Sequence, residues 1–462
     1  MSLRMLQLNL KWNSTRLLQT CLAIPTSTTT EIIPQYHTIS KMKSMLESLP
    51  MEIFLRIYYH LKDREDQEEL GDSEDEEESE DEGTREDNDI EDPECIAQGD
   101  AGVSSTCTGP AILELRLVSK DLNDKLTKTF QDEYFDYRSH LFSTKSIECL
   151  RDISENDKLG SSVRKLSVHP CLMERDGIDE SRYTEYLDEQ KSATTGGTDF
   201  DMFSASLANL PNCRSICISD DNGRPIWGLG SEFSSYINPK SSYHMEKFSQ
   251  LFNVVLSAIK NAALPLETFS ISPSRGGVDI NALCIPTSSR DSLAQAFISL
   301  KTLQMRVFLP NRNVRQLSGL AQFISLCPQL TSLDLSFKAG GYEAYSYGAT
   351  TFKGVAQDIH LQKLYKVVLR EMCIQSHHLL LFFQKHVTLR VLDIWRVELS
   401  PGTWVDCFAN CEHLDLKELA LVKCLEDGRL VRDIRVKSEK RPEGCVVYAL
   451  GKLQLKDHCN LK

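Results

Sequence analysis

The sequence predicts an α/β protein: a small all-helical unit near the N-terminus, followed by a long region of alternating helices and short strands. Three observations predict it. Two apolar segments with helical spacing, running from Leu49 to Leu61 and from Ile112 to Phe130, flank a run of carboxylates. A six-residue window, Φ-x-x-Φ-x-Φ with Φ apolar, recurs eight times from Val163 onward. Several of those windows follow an amphipathic stretch and a short turn, so helix, turn and strand alternate. A single non-repetitive α/β domain is the alternative reading of the same pattern.

The first thirty residues carry Arg4, Lys11 and Arg16 and no acid before Glu31. That composition suits an organellar transit peptide. It equally suits a disordered extension whose natural start is nearer Met42 or Met45. Residues 1–44 are assigned to the extension, with mitochondrial targeting by residues 1–30 as the alternative. No uncharged apolar run approaches the roughly 18 residues that span a bilayer, so no membrane partner is expected. The 15 cysteines are scattered without a C-x-x-C pair, as in a reduced cytoplasmic or nuclear protein, where they serve as small buried hydrophobes.

The first apolar segment, "SLPMEIFLRIYYHL", reads as a helix. Pro50 suits the first helical position, where its missing N–H costs nothing. Ile53, Ile57 and Leu61 recur at i, i+4 and i+8, with Phe54 and Tyr58 widening the stripe, and Glu52 complements the helix dipole. In the second segment Pro110 again precedes the helix, and Leu115, Val118, Leu122, Leu126 and Phe130 follow at spacings of three and four. Helices this short do not hold alone, so both stripes need something to pack on.

These residues resemble an F-box of the form common in fungal proteins. Leu49, Pro50, Glu52, Ile53, Ile57 and Leu61 match its first element, and Leu115-Arg116-Leu117-Val118-Ser119-Lys120 its second. The resemblance covers about 35 of 462 residues. It implies a helical domain, residues 45–140, that docks on a Skp-type adaptor of a cullin-based ubiquitin ligase. The adaptor-binding residues would be Leu49, Pro50, Ile53, Ile57, Leu61, Leu115, Leu117 and Val118. It implies no catalytic residue and no cofactor. A plain helical hairpin packed within its own protein is the other reading of the two stripes.

Residues 62–109 separate the two elements, where an F-box ordinarily has a handful of residues. Lengthening a loop about tenfold costs roughly 2 kcal/mol of closure entropy, which a partner or further packing can offset. Between Lys62 and Glu94 there are 20 acids against 3 bases, a local charge of −17 in a chain whose total is −14. The remainder is therefore close to neutral, and no nucleic-acid partner is expected. The insertion is too charged and too poor in apolar residues to order itself. Ser73 and Ser79, each followed by three acids, are candidate sites for an acid-directed kinase.

After Phe130, "YFDYRSHLFSTKSIECLRDISEN" reads as a strand and a helix, leading into a partner-binding domain over residues 141–462. The eight windows centre on Leu166, Ile216, Phe269, Leu303, Leu333, Val367, Leu392 and Leu419. Composition alone would produce the window in about 7% of positions, so it decides nothing without its helix-and-turn context. With that context the region resembles irregular leucine-rich repeats, which stack one strand per repeat into a parallel sheet. The Asn or Cys that stricter repeats place after the L-x-L is missing; Leu335 is followed by Ser336 and Phe337.

Two polar, glycine-bearing stretches follow strand windows. One carries Trp227, Tyr236 and Tyr243, the other Tyr342, Tyr345 and Tyr347. Read as loops, they are candidate target-binding surfaces, because Tyr offers contact area at low entropic cost; read as local covers of the repeat edge, they are structural. No phosphate loop, dinucleotide turn, nucleophile elbow or H-E-x-x-H helix occurs. Cys373, His377 and His378 have metal-like chemistry without a second ligand pair at zinc spacing, so they read as a helix start. The sequence thus points to a non-catalytic adaptor for an unknown protein target, joined to cullin through the Skp-type subunit. An F-box scaffold acting without cullin and a non-ligase repeat protein with an acidic arm are the alternatives.

Overall fold

Leu122, Leu126 and Phe130 lie on one continuous helix, α1 (Lys120–Tyr134), as their spacing requires. The computed structural model describes residues 120–170, 197–220, 244–273, 276–310, 318–339, 342–411, 414–431 and 433–437, with isolated positions at 184, 188, 445, 446, 449 and 452. The chain divides into two compact units, Met1–Lys128 and Thr129–Lys462. Of the first, only residues from Lys120 onward are described.

In the second unit strand and helix alternate. β1 (Tyr137–Leu141), α2 (Thr144–Glu155) and the one-turn α3 (Asp157–Gly160) precede β2 (Lys165–His169). α4 (Thr198–Ala208) leads to β3 (Ser215–Ser219), and α5 (His244–Ala262) to β4 (Thr268–Ser272). A short β5 (Val278–Asp279), a 3-10 turn (Ile280–Leu283) and α6 (Thr287–Phe297) come before β6 (Thr302–Leu309). Next are α7 (Gly319–Ser325), β7 (Ser332–Ala339), α8 (Tyr342–Asp358) and β8 (Lys366–Arg370). The C-terminal part holds β9 (Cys373–Ile374), α9 (Ser376–Lys385), β10 (Val391–Trp395), β11 (Glu398–Leu399) and α10 (Trp404–Ala409). It closes with β12 (Glu418–Val422), β13 (Leu425–Glu426), β14 (Arg429–Leu430) and β15 (Ile434–Lys437).

The main sheet takes its strands in chain order, β1-β2-β3-β4-β6-β7-β8-β10-β12-β15, with β5 paired to the far half of β6. Every pairing is parallel except the last, between β12 and β15. The eight windows are β2, β3, β4, β6, β7, β8, β10 and β12 of the main sheet. Their central residues are successive register partners: Leu166, Ile216, Phe269, Leu303, Leu333, Val367, Leu392 and Leu419. None is more than 1% exposed. A second inward row, Val168, Ile218, Ile271, Met305, Leu335, Leu369, Ile394 and Leu421, runs two residues further on. Each such side chain contributes about 1.5–3 kcal/mol of burial, and a one-residue slip would turn both rows outward. In-order parallel strands at one register are a stacked repeat, rather than the non-repetitive arrangement.

Backbone hydrogen bonds fix that register. The Asp136 carbonyl accepts from the Arg164 and Lys165 amides at 3.0 and 2.8 Å. The same two-donor arrangement recurs at the carbonyls of Arg164, Arg214, Glu267, Lys301, Thr331, Tyr365 and Arg390. The last three parallel strands add a further device. Glu371, Arg396 and Lys423 each follow the strand end in a left-handed conformation, at φ of 53°, 51° and 51°. The chain then re-enters extended backbone as β9, β11 and β13, which pair side by side with the antiparallel β14 at the end of this second sheet.

The two edges are finished differently. In β1, Arg138 and His140 stand where the inward rows would place apolar residues, opposite Leu166 and Val168. Both are buried; the Arg138 guanidinium donates to the Tyr134 carbonyl at 3.0 Å and lies 4.8 Å from the Phe135 ring centre. At the other edge β15 continues the inward rows with Val436 and Ile434 and turns Arg435 and Lys437 outward. A terminal repeat must end the apolar stack, and at the β1 edge buried polar side chains do so.

One sequence expectation is corrected. The stretch with Tyr342, Tyr345 and Tyr347 is not a loop: it forms the first turns of α8, which begins three residues after β7 ends. Gly348 in that helix would place a Cβ 3.5 Å from Leu309 and 3.6 Å from Phe337, so a small residue there lets the helix lie close to the sheet.

Candidate functional site

Alternation along each strand sends one set of side chains inward and the other to the opposite face. β6 shows it: Leu303, Met305, Val307 and Leu309 are buried, while Thr302, Gln304, Arg306 and Phe308 are partly exposed. Across the sheet the outward positions between the two inward rows are small and neutral first, at Ser167, Cys217 and Ser270, and then acidic at Asp334 and Asp393. The next outward row, one residue past each window, reads Arg306, Ser336, Arg370, Trp395 and Val422 from β6 to β12. Polar chemistry therefore gathers at the C-terminal half of this face.

Trp395 is its centre. The Arg435 guanidinium lies 4.8 Å from its ring and that of Arg370 at 6.0 Å. Contacts of this kind are worth about 0.5–1 kcal/mol each at partly exposed sites. Arg370 is also held by Asp334, Nη2 to Oδ2 at 3.3 Å. Burial pushes the Asp334 carboxyl up and Arg370 pulls it back. Burial likewise raises Asp393, with Lys366, Arg370 and Arg435 opposing the rise and Glu418 adding to it. Beside this group Glu371 gathers three cations: Arg306 Nη2 at 3.4 Å, Lys338 Nζ at 3.9 Å and Arg396 Nη1 at 3.9 Å. The left-handed turn at Glu371 places its carboxylate among side chains from three neighbouring repeats. Such a surface can stack an apolar or aromatic group on Trp395 and hold anions with the guanidinium groups.

The N-terminal strands carry a buried polar group instead. Ser139 Oγ and His169 Nε2 are 2.6 Å apart, each about 3% exposed, and His140 Nδ1 contacts the Ser146 carbonyl at 3.0 Å. Burial, reinforced by Arg138, drives the His140 imidazole down to about 3, so it is neutral. The Ser139–His169 contact ties β1 to β2. Ten cysteines lie among the described residues and all are free. Burial pushes Cys213 and Cys327 up to about 12 and Cys424 to about 11, as suits thiols used as packing groups. A hydrogen bond with Cys411, then burial, raises Cys407. His377 and His378 sit at the start of α9, as their sequence context indicates. Among the described residues no three His, Cys, Asp or Glu side chains are grouped to hold a metal ion, and no helix is long and apolar enough to cross a membrane.

The expected site residues are distributed as follows. Leu49, Pro50, Ile53, Ile57, Leu61, Leu115, Leu117 and Val118 lie outside the described residues, as do Ser73, Ser79, Trp227, Tyr236 and Tyr243. Tyr342, Tyr345 and Tyr347 are on α8 and not on the strands that build the outward face. The residues that build it, Arg306, Asp334, Arg370, Trp395 and Arg435, escaped the sequence reading. Their signal was available: four of the five are the fifth or the seventh position counted from the first residue of a window, the two that point outward past the central one. Arg435 gave none, because β15 is not a window.

No protein-family model matches the chain, and no curated protein matches it. Among solved structures the chain is similar to a chain of a TLR13–ssRNA13 complex, at 12% identity and a TM-score of 0.21, over 64% of this chain and 41% of that one. The chain thus spans about two fifths of that structure's length. A likeness this loose does not bear on function.

Proposed function

We propose that the protein is the substrate-receptor subunit of a Skp–cullin–F-box ubiquitin ligase. The N-terminal helices would hold the adaptor through Leu49, Pro50 and Ile53, and the repeat sheet would hold a protein target. The observation that carries the target-binding half is the outward face, where neighbouring strands bring together Trp395, two flanking arginines and several ion pairs. The adaptor half rests on the paired sequence motifs alone. The mechanism is proximity: holding target and ligase core on one chain raises the local concentration of target lysines at the charged ubiquitin carrier. The chain itself breaks and forms no bond.

Co-purification tests the reading. Recovery of both a Skp-type adaptor and a cullin with the full chain is the expected result. Adaptor without cullin points to the scaffold alternative. Neither protein points to a repeat protein outside the ligase system.

A further inference from the structure

We propose that the Trp395 region takes an acidic peptide segment of the target, an apolar side chain lying on the Trp395 ring and one or two anions between Lys366, Arg370 and Arg435. The inference rests on reading the outward face as the target-binding surface, and not on the adaptor assignment.

Charge placement supports it. Lys366, Arg370 and Arg435 all act on Asp393, three cations about one carboxylate. Arg370 is engaged by Asp334, but neither Lys366 nor Arg435 has an ion-pair partner among the described residues. Arg435 is exposed on the terminal strand, with its guanidinium 4.8 Å from the Trp395 ring centre. Arg370 Nε is buried and has no hydrogen-bond partner among the described residues. A guanidinium that stacks on a ring keeps its in-plane donors for a carboxylate or phosphate. The Arg370 and Arg435 guanidinium groups, 6.0 and 4.8 Å from one ring centre, stand no more than about 11 Å apart. About three residues of extended peptide cover that distance.

The interleaved acids decide between a peptide and a nucleic acid. Asp334, Glu371, Asp393 and Glu418 alternate with the cations. A phosphodiester strand, with regularly repeated charge and no choice of where to omit it, would meet those carboxylates. A peptide with one or two anions need not.

The test uses the full chain in complex with its adaptor, or alone, against a displayed library of random 12-residue peptides. Synthetic copies of a recovered peptide are then made with each acid as glutamine and as phosphoserine. The expected peptides carry Asp or Glu within four residues of an aromatic or branched aliphatic residue. Arg435→Gln should weaken binding about fivefold, the loss of one exposed cation contact, and Trp395→Leu by more. The glutamine copies should bind about as weakly as the wild-type peptide binds Arg435→Gln. Stronger binding of the phosphoserine copy identifies a phosphorylated target, and equal binding a carboxylate one; both support the site. Recovered peptides without acids, affinities that neither variant changes, or no recovered peptide at all would overturn it. So would binding of a 12-nucleotide uridine RNA that both variants abolish. Arg435→Gln should melt close to the wild type and Trp395→Leu somewhat below it, both folded at the assay temperature, and adaptor binding should be unaffected by either, so failure of the site is separable from failure of the ligase reading.

Discussion

At His386 two hydrogen bonds hold a neutral imidazole: Nδ1 donates to the Phe382 carbonyl at 2.7 Å, and Nε2 accepts from the Leu361 amide at 3.1 Å. Burial pushes the ring from 6.5 down to about 4, against the pull of the Phe382 carbonyl. As pH falls through 6.5 the unfolded chain takes up a proton here while the folded chain does not, until about pH 4. The stability contributed by the neutral ring is therefore whole above 6.5 and is lost between 6.5 and 4. From pH 7 to pH 5 this amounts to about 2 kcal/mol. His386→Gln keeps one acceptor and one donor without the titration. Urea unfolding at the two pH values should show the variant losing about 2 kcal/mol less than the wild type; equal losses would mean the ring is not buried neutral. Nothing in "FFQKHVTLR" announces this role, because the ring's partners are backbone groups and apolar periodicity does not register them.

The helix–turn–strand repeat was legible because its signal is the inward side chains themselves, and all eight windows became neighbouring strands. Two parts of the same elements were not legible. The strand after Phe130, β1, was read as a strand but not as the first member of the repeat sheet, because Arg138 and His140 hold its inward positions and an apolar template passes over them. The left-handed residue after β8, β10 and β12 shifts the next buried position to Met372, Val397 and Cys424, five residues past the central window residue. An eleven-residue template, "LYKVVLREMCI", "LRVLDIWRVEL" and "LKELALVKCLE", would have found it. Lys423 tests that device. Its φ of 51° strains any residue with a Cβ and strains a β-branched one most. Lys423→Gly relieves the strain but adds freedom to the unfolded chain, so stability should stay within about 1 kcal/mol of the wild type. Lys423→Val should cost about 2 kcal/mol or more by the same urea measurement. Similar losses in both variants would mean that the turn is not left-handed.

On the scale of the whole chain, charge and apolar pattern divide the work. The acidic run between Lys62 and Glu94 accounts for the net charge of −14, leaving the rest near neutral, with cations and acids interleaved on the sheet face. That balance suits selective recognition of a protein segment better than bulk attraction to a polyanion. The sequence could place the repeat domain but not its binding chemistry, because which outward side chains meet is set by register between strands 25 to 34 residues apart from β4 to β12, and 50 or more before that. The central claim is that one chain joins a ligase adaptor to a target, and its adaptor half rests on a motif split by 48 residues. The most direct measurement titrates the purified full chain with a Skp-type adaptor and compares a variant with Leu49, Pro50 and Ile53 replaced by polar residues. The account predicts a one-to-one complex with the wild type and at least a hundredfold weaker association for the variant, about 2.7 kcal/mol for three buried contacts. Undiminished binding by the variant, or no complex with the wild type, would contradict it.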